Sequence, residues 1–217
     1  NPEIVFTQGY NATPVFYNDI DNFMLCSFTC SEDLISLYNC FDDQEVKDLR
    51  LNAFFEARED EQYKVAKVVE KVYDCFVIRS AELYLNKAEA EAMLDKAEAK
   101  QTIKTLLNNR FEGGIPDVDG LNEKDLISFI RDERRRELCF EAHRWFDLRR
   151  YAVSSKYPEK KSIRHETYDK NGVLEGDYVL KPYGEDPAWV LPIPGYEIVY
   201  NQGNLVDNPQ RVERELE

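Results

Sequence analysis

The sequence has only two histidines, two methionines and two tryptophans in 217 residues, and its five cysteines (Cys26, Cys30, Cys40, Cys75, Cys139) include no CxxC pair. An odd cysteine count with so little histidine supports neither a zinc motif nor a complete disulfide framework. Buried thiols are the plainer reading, and a bridge between Cys26 and Cys30, or of either with Cys40, stays open in an oxidising compartment. No apolar run reaches transmembrane length, and the opening "NPEIVF" carries neither an initiator methionine nor a signal peptide, so the natural start is expected upstream. Positive charge is scarce as well: 28 Lys and Arg against 42 Asp and Glu leave a formal charge of -14. Such a molecule repels a phosphate backbone, and nucleic-acid binding would require a segregated basic face.

One stretch is a candidate for that face, "RDERRRELCFEAHRWFDLRRY" from Arg131 to Tyr151. Its arginines are interleaved with Asp132, Glu133, Glu137, Glu141 and Asp147. A field that alternates in sign cancels within a Debye length, so nucleic acid is not the expected partner.

What is present is a globular composition, 43% hydrophobic and 12% aromatic, ample for a core. We read residues 1–217 as one region in three parts: an aromatic loop and short-helix segment (1–60), long helices (61–151) and a tail that straps back (152–217). In the first part, Gly9, Asn11, Pro14 and Asn18 punctuate short apolar groups, with short strands expected at Ile4 to Thr7 and Phe23 to Phe28. In "SEDLISLYNCF", Ser31 can cap a helix that puts Leu34, Ile35, Leu37, Tyr38 and Phe41 on one side. A strand is expected around Tyr63 to Val69.

The second part opens with a helix whose core face is Ile78, Ala81, Leu85, Ala88 and Ala92. Asp95 followed by Glu98 reads as a capping-box variant that starts the next helix, with Ala99, Ile103, Leu106 and Leu107 facing inward. These two make a helical hairpin with a tight turn. The loop "FEGGIPDVDG" contains a calcium-like "DVDG" but lacks the later oxygen ligands and bidentate Glu of an EF-hand, so a solvent turn is expected and no metal. Asn122 then caps the long helix, with Asp125 at its third position. From Ser154 the chain reads as polar and broken until "WVLPIPGYEIVYNQGNLVDNP", where two prolines impose an extended path before a short helical turn. The closing "RVERELE" is expected to fray.

Laid on a helix, Leu126, Ile130, Leu138, Ala142 and Trp145 share one side of the long element, and Phe129, Phe140, Phe146 and Leu148 widen it. Some arginines must therefore border an apolar stripe. The preceding hairpin offers Arg79, Glu82 and Glu89, so partly buried ion pairs are expected among Arg79, Glu82, Glu89, Arg136, Glu137 and Glu141. The rival reading makes Glu137 and Glu141 a hydrolytic carboxylate pair. Guanidiniums beside both would lower their pKa values, whereas a general acid needs its pKa raised, so structural pairing is favoured. His143 has no adjacent Ser or Cys nucleophile and reads as a surface or packing residue.

Four stretches, "FVIRSAELYLNKAEAEAML", "LNNR", "IRDERRRELCFEAHRWFDLRRY" and "LPIPGYEI", occur in an order and spacing that resemble the C-terminal part of the SusD/RagB family. "NPEIVF" and the "DLR" at Asp48 to Arg50 resemble features of its middle region. The resemblance implies a mainly α protein of tetratricopeptide-like helical hairpins (an α-α superhelix) with irregular loops and a few short strands. It also implies a non-enzymatic, lipid-anchored surface protein of the outer membrane in Bacteroidetes-type bacteria. Such a protein binds oligosaccharides or polysaccharides, in some branches peptides, without a cofactor, and closes over a TonB-dependent SusC-like transporter for nutrient uptake. Family members carry a large N-terminal helical half, a signal peptide and a lipidated cysteine, none visible here, so membrane contact would come only through an anchor outside this chain.

Ligand residues are not carried by those motifs and must be nominated from chemistry. Glycan sites use aromatic platforms flanked by Asn, Asp or Arg that hydrogen-bond hydroxyls. "GYNATPVFYNDIDNF" has that composition, which nominates Tyr10, Asn11, Phe16, Tyr17 and Asn18, with Arg50 and Trp189 further off. The competing function is a helical-repeat module that binds protein or peptide without affinity for glycans.

Overall fold

The computed structural model of the chain describes residues 3–6, 30–41, 46–57, 63–67, 78–169, 171, 173–208 and 216. The chain divides into two compact units, residues 1–144 and 145–217. The architecture is mainly α, with strands confined to small two-stranded antiparallel sheets.

In the first unit, short β1 (Ile4–Phe6) pairs with β5 (Ile78–Arg79), β2 (Lys47–Asp48) with β6 (Phe111–Glu112), and β3 (Phe55–Ala57) with β4 (Tyr63–Val65). Helix α1 (Glu32–Asn39) forms where the 3.6-residue period predicts it and buries Leu34, Ile35 and Tyr38. Ser31 precedes it through its carbonyl, which accepts from the Leu34 and Ile35 amides. Tyr38 packs edge-on against Phe55, and Phe140 closes on the same ring. Helix α2 (Arg50–Phe54) is a single turn between β2 and β3. β4 ends at Val65, short of the expected Val69; residues 68–69 and the expected strand near Phe23 to Phe28 lie outside the described residues.

Helices α3 (Ser80–Met93) and α4 (Glu98–Leu107) form the tetratricopeptide-like hairpin. Ala81, Leu85, Ala88 and Ala92 of α3 and Ala99, Ile103, Leu106 and Leu107 of α4 are buried, and the small alanines let the helices approach closely. Ile78, expected on the α3 face, instead sits exposed in β5. The capping box at Asp95 does not form. Asp95 takes φ 57 as the left-handed residue after α3: its amide donates to Ala92 O and the Lys96 amide to Glu91 O, the 5→2 and 6→1 pair of a Schellman end. The next helix takes Ala97 rather than Asp95 at its N-cap.

At Asn122 the expected N-cap does form. Its Oδ1 accepts from the Asp125 amide at 3.0 Å and its Nδ2 donates to Asp125 Oδ2 at 2.7 Å. Helix α5 (Glu123–Glu137) follows, packing on α3 and α1. In the "DVDG" loop, the Lys100 ammonium donates to Asp119 O and Leu121 O and draws those carbonyls together.

The arginine-rich stretch is not one helix. α5 ends at Glu137, Phe140 and Ala142 adopt φ 62 and 63, and α6 (Arg144–Ala152) starts afresh. The physical reason lies in the carbonyls that this break orphans. Tyr38 Oη donates to Arg136 O at 2.7 Å, Lys67 Nζ to Glu137 O at 2.6 Å and Cys139 O at 3.2 Å, and Arg79 Nη2 to Glu137 O at 3.1 Å. Two of these three donors are cations, which the negative end of a helix dipole favours.

In the second unit, α6 buries Leu148 and Tyr151. A hairpin of β7 (Ile163–Tyr168) and β8 (Leu174–Leu180) then runs through what the sequence suggests is irregular chain. Its turn is held by Asp169, whose carboxylate accepts from the amides of Asn171 and Val173 at 2.8 Å each; those amides lower its pKa. A 3-10 turn (Pro187–Trp189) precedes the extended "LPIP" segment and the short α7 (Gly195–Tyr200).

Candidate functional site

The densest polar arrangement among the described residues lies in the first unit, around the end of α5. Glu133 and Glu137 are one turn apart, so their side chains share a face. The small sheets deliver their partners. Pairing of β2 with β6 places Asp48 and Arg50 beside Arg110, with the Leu49 amide donating to Arg110 O; pairing of β1 with β5 brings Glu3 beside Arg79.

Glu137 is the hub. Its Oε1 accepts from Arg79 Nη1 and Arg110 Nη2, each at 3.0 Å, and its Oε2 from Arg50 Nη1 at 3.0 Å and Arg110 Nε at 2.9 Å. Those four bonds fill the acceptor capacity of a carboxylate. Arg50 is equally engaged: Nε and Nη2 fork onto Asp48 at 2.9 and 2.7 Å, and Nη1 reaches Glu133 Oε1 at 2.6 Å. Arg79 forks onto Glu141 at 2.9 and 2.7 Å, and Lys67 completes Glu141 at 2.5 Å. Arg136 donates through Nε to Glu133 at 2.9 Å, while its guanidinium lies 4.9 Å over the Phe41 ring. Five carboxylates (Glu3, Asp48, Glu133, Glu137, Glu141) thus meet five cations (Arg50, Lys67, Arg79, Arg110, Arg136), and the cluster is formally neutral.

Burial would raise the Glu137 pKa, but the Arg110 hydrogen bonds and the charges of Arg50, Arg110 and Arg79 outweigh it and hold the carboxyl at about 2. Glu141 is lowered in the same way: burial opposes, and Lys67 and Arg79 prevail. The same contacts overcome desolvation to raise Arg50, Arg79 and Arg110. A carboxyl at about 2 carries no proton near neutral pH and cannot act as a general acid. Burial pushes the neighbouring Cys139 thiol up and Cys30 to about 12, so neither is a thiolate nucleophile. Among the described residues no group of His, Cys, Asp and Glu is arranged to hold a metal.

Of the residues expected to pair, Arg79 meets Glu137 and Glu141 directly. Glu82 and Glu89 are met by Arg134 at 3.6 Å and Arg131 at 3.4 Å. Arg136, expected to reach across to α3, pairs instead within α5. Arg50 and Trp189, nominated to face a ligand, both sit in the interior: Arg50 is saturated by carboxylates, and Trp189 is 1% exposed, stacked on Trp145 with its indole N–H donating to Lys181 O. Tyr10, Asn11, Phe16, Tyr17 and Asn18 lie outside the described residues. Sequence reasoning missed Glu3, Asp48, Lys67 and Arg110 as network members and assigned Arg50 to a ligand instead; only the "DLR" and "LNNR" stretches hinted at Asp48 and Arg110. His143 is partly exposed, 3.9 Å from Glu82 and 3.4 Å from Arg134.

A neutral buried lattice of this kind, with every strong acid paired, is built to hold elements together. The model of the SusD family matches residues 50–210, which contain eight of the ten members of this network. The chain belongs to the SusD family. SusD-like protein P2 of Formosa agariphila is 28% identical over 142 residues, 61% of this chain and 25% of that protein. A SusD superfamily structure from Bacteroides thetaiotaomicron superposes with a TM-score of 0.63 at 21% identity, over 96% of this chain and 49% of the other. A putative sugar binding protein from Bacteroides vulgatus gives 0.60 at 22% identity, over 84% and 39%. This SusD-family chain therefore spans a quarter of the curated relative and about half of the superposed structure.

Proposed function

We propose that this SusD-family chain takes part in binding oligosaccharide or polysaccharide for nutrient uptake, without cleaving it. The observation that carries the reading is the family match over residues 50–210, and the B. vulgatus structure it superposes on is named a putative sugar binding protein. The locked carboxylates support the second half of the statement, because hydrolysis needs one acid that can hold a proton. The accompanying proposals are a surface lipoprotein location at the outer membrane and a TonB-dependent SusC-like transporter as partner. No described helix is long and apolar enough to cross a membrane.

The loop residues Tyr10, Asn11, Phe16, Tyr17 and Asn18 are the proposed stacking and hydrogen-bonding set. Calorimetric titration of the chain against a panel of soluble polysaccharides tests this. Saturable binding that Tyr10→Ala and Tyr17→Ala abolish supports it; binding indifferent to both moves the contact elsewhere, and silence across the panel sinks the glycan reading in favour of a peptide-binding module.

A further inference from the structure

We propose that α7 carries a separate contact for a neutral glycan, a tyrosine ridge made by Tyr196 and Tyr200. The inference rests on the glycan-binding reading but places a contact away from the nominated loop, on a helix that begins within the "LPIPGYEI" stretch. Its starting point is an inverted helix. None of the six residues of α7 is buried, and Tyr196, Val199 and Tyr200 are 63%, 77% and 83% exposed. Spaced i, i+3 and i+4, they form one apolar stripe, which a surface helix ordinarily turns toward a core. Here it faces solvent, while Ile198 on the other side is half-buried.

Size and charge narrow what could cover it. A six-residue helix is about 9 Å long. Exposed Leu191 and Val206 extend the apolar surface in sequence on either side of it. Two tyrosines one turn apart have Cβ atoms about 5–6 Å apart, the scale of neighbouring sugar rings along a chain. Tyrosine supplies an apolar face for sugar C–H groups and a hydroxyl for hydrogen bonding. Asn201, Gln202 and Asn204, all exposed, follow at once with amides that both donate and accept. Across residues 190–208 the only charged side chains are Glu197 and Asp207, both acidic, so the segment offers no cation to an anionic polysaccharide.

The ridge is also braced. Asp207 Oδ1 accepts from the amides of Ile193 and Asn208 at 2.8 Å each, and Asn208 Nδ2 donates to Leu191 O at 2.7 Å, closing the segment at the base of α7. Asn201 Nδ2 donates to Glu197 O at 3.0 Å, tying the first amide to the helix. A platform fixed before binding loses less entropy when a ligand stacks on it.

The test is titration of the full chain and of the Tyr196→Ala/Tyr200→Ala double variant with neutral laminarin, soluble starch and galactomannan, and with anionic alginate and polygalacturonate. Both tyrosines are exposed, so the variant should keep its melting temperature. We expect at least one neutral polymer to bind the unaltered chain and to lose about tenfold or more in affinity with the double variant. Undiminished binding by the double variant overturns the ridge and leaves the glycan reading standing. Preference for the anionic polymers overturns the neutral-ligand assignment, and silence of the unaltered chain toward all five overturns both readings.

Discussion

The two units treat their polar and apolar groups in opposite ways. In residues 1–144 carboxylates and guanidiniums are drawn inside and satisfied one against another, and Glu137 alone anchors three arginines from three distant places in the chain. In residues 145–217 the pattern turns outward: Phe146, Tyr168, Leu191, Tyr196 and Tyr200 are exposed, and the Arg164–Asp177 pair sits on a largely solvated hairpin. Charge density therefore marks architecture in this molecule, and exposed aromatics mark candidate contact surface. The highest concentration of charge leads to the Glu137 network, whose carboxylates are already filled by guanidiniums and an ammonium of the same unit.

The most severe way to test that contrast is Glu137→Ala. Removing one member of a buried ion network strands its partners, and the cost is about 3–5 kcal/mol, read as a fall in the urea unfolding midpoint. A loss under about 1 kcal/mol would show that the network is not holding the unit together.

Acid should act next most strongly, and on the first unit. A carboxyl depressed in the fold stabilises it fully above its unfolded value, near 4.5, and that contribution disappears as pH falls toward about 2. For Glu137 the difference corresponds to about 3 kcal/mol, so unfolding midpoints should drop steeply below about pH 4.5. Glu141 adds in the same direction. The Glu137→Gln variant should show a flatter dependence over that range; an unchanged slope would place the acid sensitivity elsewhere.

Lys67→Met sharpens the account of the helix break. It removes the ammonium from two backbone carbonyls and from Glu141, at a cost of about 1–3 kcal/mol in thermal or urea denaturation. Asn122→Ala, which deletes one cap, should cost about 1 kcal/mol. The smallest effect is expected in the second unit, where Arg164→Ala should change stability by less than about 0.5 kcal/mol because its ion pair is exposed.

How much of this was legible in the sequence depended on whether the cause of each feature was local. Helix α1, the α3/α4 hairpin and the Asn122 cap follow from spacing and neighbouring side chains, and all three stand where the periodicity puts them. The break after Glu137 does not, because "ELCFEAHRW" keeps a helical pattern while the groups that receive its freed carbonyls, Tyr38, Lys67 and Arg79, are about 60 to 100 residues away. Asp95 shows a second limit: the same residue type serves at either end of a helix, and only the backbone angle decides. The β7/β8 hairpin was hidden by its exposure, since strands without a buried face have no strong alternation, although "DKNG" at residues 169–172 carried the turn signal. The network's hub was visible as an acid among arginines; Asp48, Lys67 and Arg110 join it through strand pairings and loop geometry that no local pattern encodes.

The claim that joins these threads is that the molecule binds glycan without hydrolysing it. The most direct measurement is to incubate the chain with the polysaccharide it binds best, record the heat of binding, and assay the same sample for new reducing ends. The account predicts a saturable heat with no reducing ends above the protein-free control. Reducing ends that accumulate with the unaltered chain and vanish with Glu141→Gln would contradict it, turning the locked carboxylates from architecture into catalysis.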